Sequence, residues 1–150
     1  MAQARAYNSP QSGDPQMTAL KLPPHSIEAE QSLLGGLMLD NSAWDRIADQ
    51  VAEADFYRDD HRRIFRHIAR LIEAGRPADV VTVFESLEKS AESEQAGGMA
   101  YLGEIANNTP SAANIKRCAE IVRERAILRK LVTVGDEIAA SALNPAGREA

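Results

Sequence analysis

The sequence is short of the residues that staple, span or cradle. One cysteine, Cys118, stands in 150 residues, too few for an internal disulfide framework or a multi-thiolate zinc site. Aromatic residues make up only 5%, which leaves few ring platforms on which nucleobases could stack. No apolar run approaches the ~20 residues a membrane-spanning helix needs. Residues 1–21 are polar and interrupted by Pro10, Gly13 and Pro15, unlike a secretory leader. Neither G-x-x-x-x-G-K-[ST] nor G-x-G-x-x-G occurs, and Gly35-Gly36 and Gly97-Gly98 lack the strand–loop–helix setting of a phosphate cradle. The expectation is a cytoplasmic chain that binds no ATP and carries no cofactor of its own.

What is present suits one domain with an appendage. Seventeen basic against 22 acidic residues give a net charge of −5, which argues against a surface wholly devoted to a phosphate backbone. The charge is uneven. Residues 1–108 hold 10 basic and 17 acidic groups, net −7, and residues 109–150 hold 7 and 5, net +2. Between Lys116 and Lys130, six basic residues, including Arg123, Arg125 and Arg129, face only Glu120 and Glu124.

The periodicity is helical throughout, and the expected fold is all-α: a compact multi-helix head followed by one long helix. Residues 1–21 have no apolar pattern and read as a disordered arm. Ser26 caps a first helix, about Ile27 to Leu39, whose Ile27, Leu33, Leu34, Leu37 and Met38 form an apolar face. Gly35-Gly36 inside it permits close packing against another backbone, a helix break being the alternative. Ser42 and Asp45 form a capping box before Trp44, Ile47, Ala48 and Val51. Asp59 or Asp60 opens a third helix bearing Ile64, Phe65, Ile68, Leu71 and Ile72, closed by Gly75. Asp79 caps a fourth, where V-V-T-V-F could be a strand by propensity but the E-S-L-E-K continuation favours helix. A fifth carries Tyr101, Leu102 and Ile105 and stops at Asn107-Asn108, completing a head over residues 22–108.

From Ser111, just after Thr109-Pro110, a helix is predicted to run to about Leu143. It carries two apolar stripes. Ile115, Ala119, Val122 and Ala126 line the first half; Ile127, Leu131, Val134 and Ile138 line the second at the four-three-four spacing of helix-on-helix packing. One stripe can cover the head, and the other needs a partner.

Chemistry-bearing candidates are few. Asp55, Asp59, Asp60 and His61 are metal-compatible types, but D-x-x-x-D-D-H matches no ligand spacing, and helix capping explains the acids. His25, His61 and His67 have no nucleophile nearby in sequence, so a reactive pair would require tertiary contacts. Cys118 beside the first stripe reads as a small buried group. Arg62, Arg66 and Arg70 recur every four residues with Arg63 alongside. They form either a solvated face balanced by nearby acids or a contact for an acidic partner or nucleic-acid backbone.

Six segments in register carry a resemblance: L-P-P-H-S-I-E-A-E-Q-S-L-L-G-G-L-M-L-D at Leu22 to Asp40, D-F-Y at Asp55 to Tyr57, H-R-x-I-F at His61 to Phe65, G-G-x-A-Y-L at Gly97 to Leu102, N-T-P-S-A-A-N-I at Asn108 to Ile115 and I-V-R-E-R-A at Ile121 to Ala126. Together they resemble the amino-terminal domain of the DnaB family of bacterial replicative helicases. The resemblance implies a helical head and hairpin, with hairpins pairing subunits of a hexameric ring. It also implies contacts with primase and a helicase loader, and an ATP- and Mg-dependent DNA-translocating motor outside these residues. On that basis residues 109–150 are the first arm of a hairpin, and Ile127, Leu131, Val134 and Ile138 are the self-association or partner seam. The competing reading is a basic collar for single-stranded DNA built on Arg62, Arg66, Arg70 and the Lys116 to Lys130 stretch.

Overall fold

The computed structural model describes residues 22–145; the arm predicted for residues 1–21 lies outside them. Among the described residues the regular structure is six α-helices and two short 3-10 turns. They are α1 (Ile27–Leu39), a turn at Asn41–Ala43, α2 (Trp44–Ile47), a turn at Glu53–Asp55, α3 (Asp59–Glu73), α4 (Val80–Lys89), α5 (Gly98–Asn107) and α6 (Ile115–Leu143).

Helix α1 is the axis of the head. Ser26 starts it by accepting the Ala29 N–H at 3.2 Å, and α3, α5 and α6 pack around it. Burial is therefore not limited to one face: Ala29, Glu30, Leu33, Leu34, Gly35, Gly36, Leu37 and Met38 are all inside. The glycine pair does not break the helix. A Cβ on Gly35 would lie 2.1 Å from Thr109 Oγ1 and 2.9 Å from the Ile105 carbonyl oxygen, and one on Gly36 would lie 3.2 Å from Ile115 Cδ1. The two glycines let the end of α5 and the turn into α6 lie directly on α1.

The second segment differs from expectation. The cap is Asp40, whose Oδ1 accepts the Ser42 N–H at 3.0 Å, and Ser42 sits inside a 3-10 turn that leads into a single α-turn, α2. Asn41 is the reason. Its amide donates to the Leu37 carbonyl at 2.7 Å and accepts from the Ala78 N–H at 2.9 Å, fixing the corner to the segment before α4 ahead of any Ser42 cap. Trp44 and Ile47 still turn inward, and Phe65 meets Trp44 and Phe56 at ring-centroid distances of 5.6 and 4.9 Å.

Helix α3 ends as its sequence indicates. Gly75 takes φ +74°, its N–H reaches the Ile72 carbonyl, and the Arg76 N–H reaches that of Leu71, the paired bonds that terminate a helix on a left-handed residue. Asp79 accepts the Thr82 N–H at 2.8 Å, and V-V-T-V-F is helical in α4.

Helix α6 begins at Ile115, four residues after the expected Ser111. Residues 109–114 instead form a close turn. Thr109 is buried with its hydroxyl on the Ile105 carbonyl at 2.9 Å, and Ala112 packs on Gly36. Helical geometry from Ser111 would carry this segment off the glycines of α1. The helix then continues through Gly135 without a break to Leu143, about 44 Å in all.

Two substitutions separate the packing role of glycine from its helix propensity. Gly35→Ala should destabilise the fold by roughly 1–3 kcal/mol, because overpacking outweighs the propensity gain. Gly135→Ala, with nothing within 4 Å of the new methyl, should stabilise by up to about 1 kcal/mol. Urea titration of both variants checks the opposite signs.

Candidate docking surface

The first stripe of α6 fastens the helix to the head. Ile115, Ala119 and Val122 are buried, Ala126 is half-buried, and the helix packs along α1 and α2. Two arginines extend the attachment. Arg123 Nη1 lies 3.2 Å from Asp55 Oδ1, while Asp55 also accepts the Ala52 N–H at 2.8 Å. Arg129 donates to the Pro24 carbonyl at 2.8 Å and to the Asp55 carbonyl at 2.6 Å. Its guanidinium stands over the Tyr57 ring, 5.4 Å from the centroid, and His25 stacks near Tyr57 at 4.3 Å. One planar cation thus ties the entry segment, the 3-10 turn and α6 together, a geometry that an ammonium group does not reproduce. Arg125 pairs with the adjacent Glu124.

Beyond Arg129 the helix leaves the head and runs on for about 20 Å. Here the second stripe is open to solvent: Ile127, Leu131, Val134 and Ile138 are 47, 61, 44 and 65% exposed, and Leu128 and Val132 broaden the patch. Apolar side chains at heptad spacing on a helix with no neighbour usually mark an interaction face.

The arginine face of α3 is arranged differently. Arg62 donates to the Phe56 and Tyr57 carbonyls at 2.8 and 2.9 Å. Arg63 bridges Asp59 and Glu92 at 2.7 and 2.9 Å, and Arg66 bridges Glu53 and Glu92 at 2.7 and 3.0 Å. The hydrogen bond to Glu53 holds the Arg66 guanidinium above its already high pKa, and the bond from Arg63 lowers that of Asp59. Arg70 is exposed, with no acidic partner among the described residues. Three of the four cations therefore brace the head internally.

Two buried polar networks lie beneath this face, and neither was visible in the periodicity. Glu30, 1% exposed, accepts the Tyr57 N–H at 2.7 Å and faces His61 Nδ1 at 2.7 Å; His61 Nε2 lies 2.7 Å from the Tyr101 hydroxyl, which Gln31 approaches at 3.0 Å. A carboxylate only accepts, so His61 Nδ1 donates to Glu30, and the Gln31 amide donates to the tyrosine oxygen. The chain is fully satisfied and joins α1, α3 and α5. In the second, His67 Nδ1 lies 2.7 Å from Ser86 Oγ and Nε2 lies 3.3 Å from Glu92 Oε2. This is the tertiary Ser–His contact the sequence alone did not bring together. Ser86 sits inside α4, where the surrounding amides serve the helix, so no paired N–H donors remain for an oxyanion, and the trio reads as bracing.

The polar cluster anticipated at Asp55, Asp59, Asp60 and His61 is dispersed: Asp55 faces Arg123, Asp59 faces Arg63, Asp60 pairs with Arg58, and His61 turns inward. No group of three or more potential ligands converges among the described residues. Cys118 is half-buried, and burial pushes its thiol pKa up, away from reactivity. No helix among the described residues is long and apolar enough to cross a membrane.

Fold and surface define a class: a small helical head carrying a long helix whose outer half presents an exposed apolar seam. The family model of the DnaB-like helicase N-terminal domain matches residues 22–124, and the chain belongs to that family. It is 46% identical over 138 residues to the replicative DNA helicase DnaB of Haemophilus influenzae, covering 92% of this chain and 30% of that protein. The chain therefore spans under a third of that relative's length. The crystal structure of the N-terminal domain of DnaB helicase from Mycobacterium tuberculosis is similar at a TM-score of 0.79 and 36% identity, covering 81% of this chain and 85% of that one. The N-terminal domain of DnaB helicase from Helicobacter pylori, described with its interactions with primase, shares the fold at a TM-score of 0.63 and 22% identity, covering 76% of this chain and 89% of that one.

The Glu92 hub makes a pH prediction. Burial raises its pKa, but hydrogen bonds from His67 and Arg63 and the charges of His67 and Arg66 outweigh it, leaving the group below the ordinary value. A folded pKa below the unfolded one means stability that is fully present above about pH 4.3 and lost as pH falls through the folded value. Glu92→Gln removes that titration. Unfolding free energies measured in urea across this acid range should therefore decline less steeply in the variant than in the parent.

Proposed function

We propose that the domain is a non-catalytic assembly and partner-docking module of a replicative DNA helicase, working in the cytoplasm. It holds subunits together in a hexameric ring and presents a surface to primase. The exposed seam Ile127, Leu131, Val134 and Ile138 on a helix braced by Arg129 carries the reading. Apolar side chains in this number and spacing gain most by docking against another helix. The family supports the rest: the relatives are replicative helicases, and a domain of the same fold is described with primase interactions. ATP-driven, Mg-dependent unwinding and contact with DNA are assigned to the remainder of a longer protein, as is the second arm of the hairpin. Contact with a helicase loader rests on the family resemblance.

The basic-collar reading has less support. Arg62, Arg63 and Arg66 are engaged within the head, Arg123 with Asp55 and Arg129 with two carbonyls. Phe56 and Phe65 are buried and Trp44 is packed against the core, so stacking platforms are scarce.

Leu131→Asp with Val134→Asp should weaken self-association or capture of a primase carboxy-terminal domain at least tenfold in sedimentation or titration calorimetry, with helicity unchanged by circular dichroism. Self-association and primase capture both unchanged in the variant would overturn the seam as a docking face. The purified chain should show no ATP turnover, and oligo-dT binding should be weak and fall steeply with salt.

A further inference from the structure

The segment that leads into α1 already lies on α6. Gly36, near the end of α1, meets Ile115 at the start of α6, whereas Pro24, just before the Ser26 cap, reaches Arg129 well along the same helix. Helix α1 therefore runs antiparallel to α6, and the chain preceding it heads toward the outer half. That heading is held in place. Arg129 donates to the Pro24 carbonyl, His25 Nδ1 lies 2.6 Å from the Pro23 carbonyl, and the His25 ring stacks with Tyr57. A residue that precedes proline is confined to extended backbone, so Pro24 and Pro23 keep Pro23 and Leu22 extended. Leu22 is 54% exposed.

The outer half of α6 carries a second apolar line. Leu128, Val132, Gly135 and Ala139 each stand one residue on from a member of the seam, about 100° round the helix. Leu128 and Val132 are 40 and 50% exposed, and a Cβ on Gly135 would meet nothing within 4 Å. The two lines differ in kind. The seam has a branched aliphatic at every position, which interlocks with another helix. The second line falls from large residues to Gly135 and Ala139, low enough for a backbone to lie close. It also borders the Arg129 clamp, about a quarter-turn away, while on the other side of the clamp the helix shows Lys130, Thr133 and Glu137.

We infer that residues 17–22 of this chain lie extended along Leu128, Val132, Gly135 and Ala139 as a strap that leaves the seam open. The lengths agree: Met17 to Leu22 spans roughly 16 Å at the rise of extended backbone, and Leu128 to Ala139 spans roughly 16 Å of helix. Strand alternation puts Leu20 and Leu22 on one side and Lys21 on the other, with the two leucines about 7 Å apart. Leu128 and Val132 are about 6 Å apart along the helix, so each leucine has an apolar counterpart. A strap in this place directs partners, because a helix then reaches α6 from the seam side or must displace the strap. The inference does not depend on what covers the seam.

The test places a nitroxide on Ala19→Cys, on the outward side of the strap, in a Cys118→Ser background that removes the native thiol. Paramagnetic relaxation is read on methyl-labelled leucine and valine. The methyls of Leu128 and Val132 should relax at least threefold faster than those of Leu131 and Val134 on the seam. Leu20→Asp with Leu22→Asp should erase that difference, and because Leu22 is exposed and outside the core the methyl shifts of Leu33 and Leu102 should stay as in the parent. Equal relaxation on the two lines overturns the proposal. So does a difference that survives the two aspartates, which would reflect tethering alone. The same pattern in a mixture of spin-labelled chain with separate isotope-labelled chain assigns the strap to a second copy and also overturns it.

Discussion

Helix α1 and the turn that feeds α6 meet at Gly35 and Gly36, where one added methyl would lie 2.1 Å from Thr109 Oγ1. That approach sets where α6 begins. Thr109 hangs from the last turn of α5, Ala112 rests on Gly36, and Ile115 starts the long helix with its first apolar stripe already against α1. The path of α6 across the head, and the point where it leaves, follow from this contact. So does the exposure of the second stripe, which is rotated away from the first and cannot reach the same head.

Polar contacts then fix where the helix departs. Acids of the first 108 residues are engaged inside the domain, where Glu92 gathers Arg63, Arg66 and His67, and Asp55 meets Arg123 from α6. Several of these pairs are partly exposed, and such pairs individually contribute little. Arg129 is different in kind, because its donors serve backbone carbonyls of two segments and its plane lies over Tyr57. Among the described residues it is the last attachment before the free half of the helix.

Helix positions were largely legible in the sequence because apolar spacing, Ser26, Asp79 and Gly75 act locally. Two boundaries were not. The cap at Asp40 and the late start of α6 depend on Asn41 reaching Ala78 and on Thr109 packing at Gly35, contacts that bridge tens of residues. The glycine pair was readable as a close approach, though not what it approached. The open seam was legible because it is a matter of counting along one helix. The arginine face was ambiguous for the opposite reason: its partners Glu53 and Glu92 lie on other elements. Buried Glu30 was the least readable residue. A glutamate in a first helical turn ordinarily faces solvent near the positive dipole end, and only the fold shows it bonded to Tyr57 and His61.

The central claim is that the outer half of α6 is an ordered docking face, open in the isolated domain and covered in assembly. Amide hydrogen exchange from Ile127 to Ile138 tests it most directly, compared between the free chain and the same residues in an assembled helicase ring. The account predicts exchange in the free chain faster than in the buried head helices α1 and α3, and strong added protection on assembly, with α1 and α3 unchanged. Equal exchange in both states would contradict it.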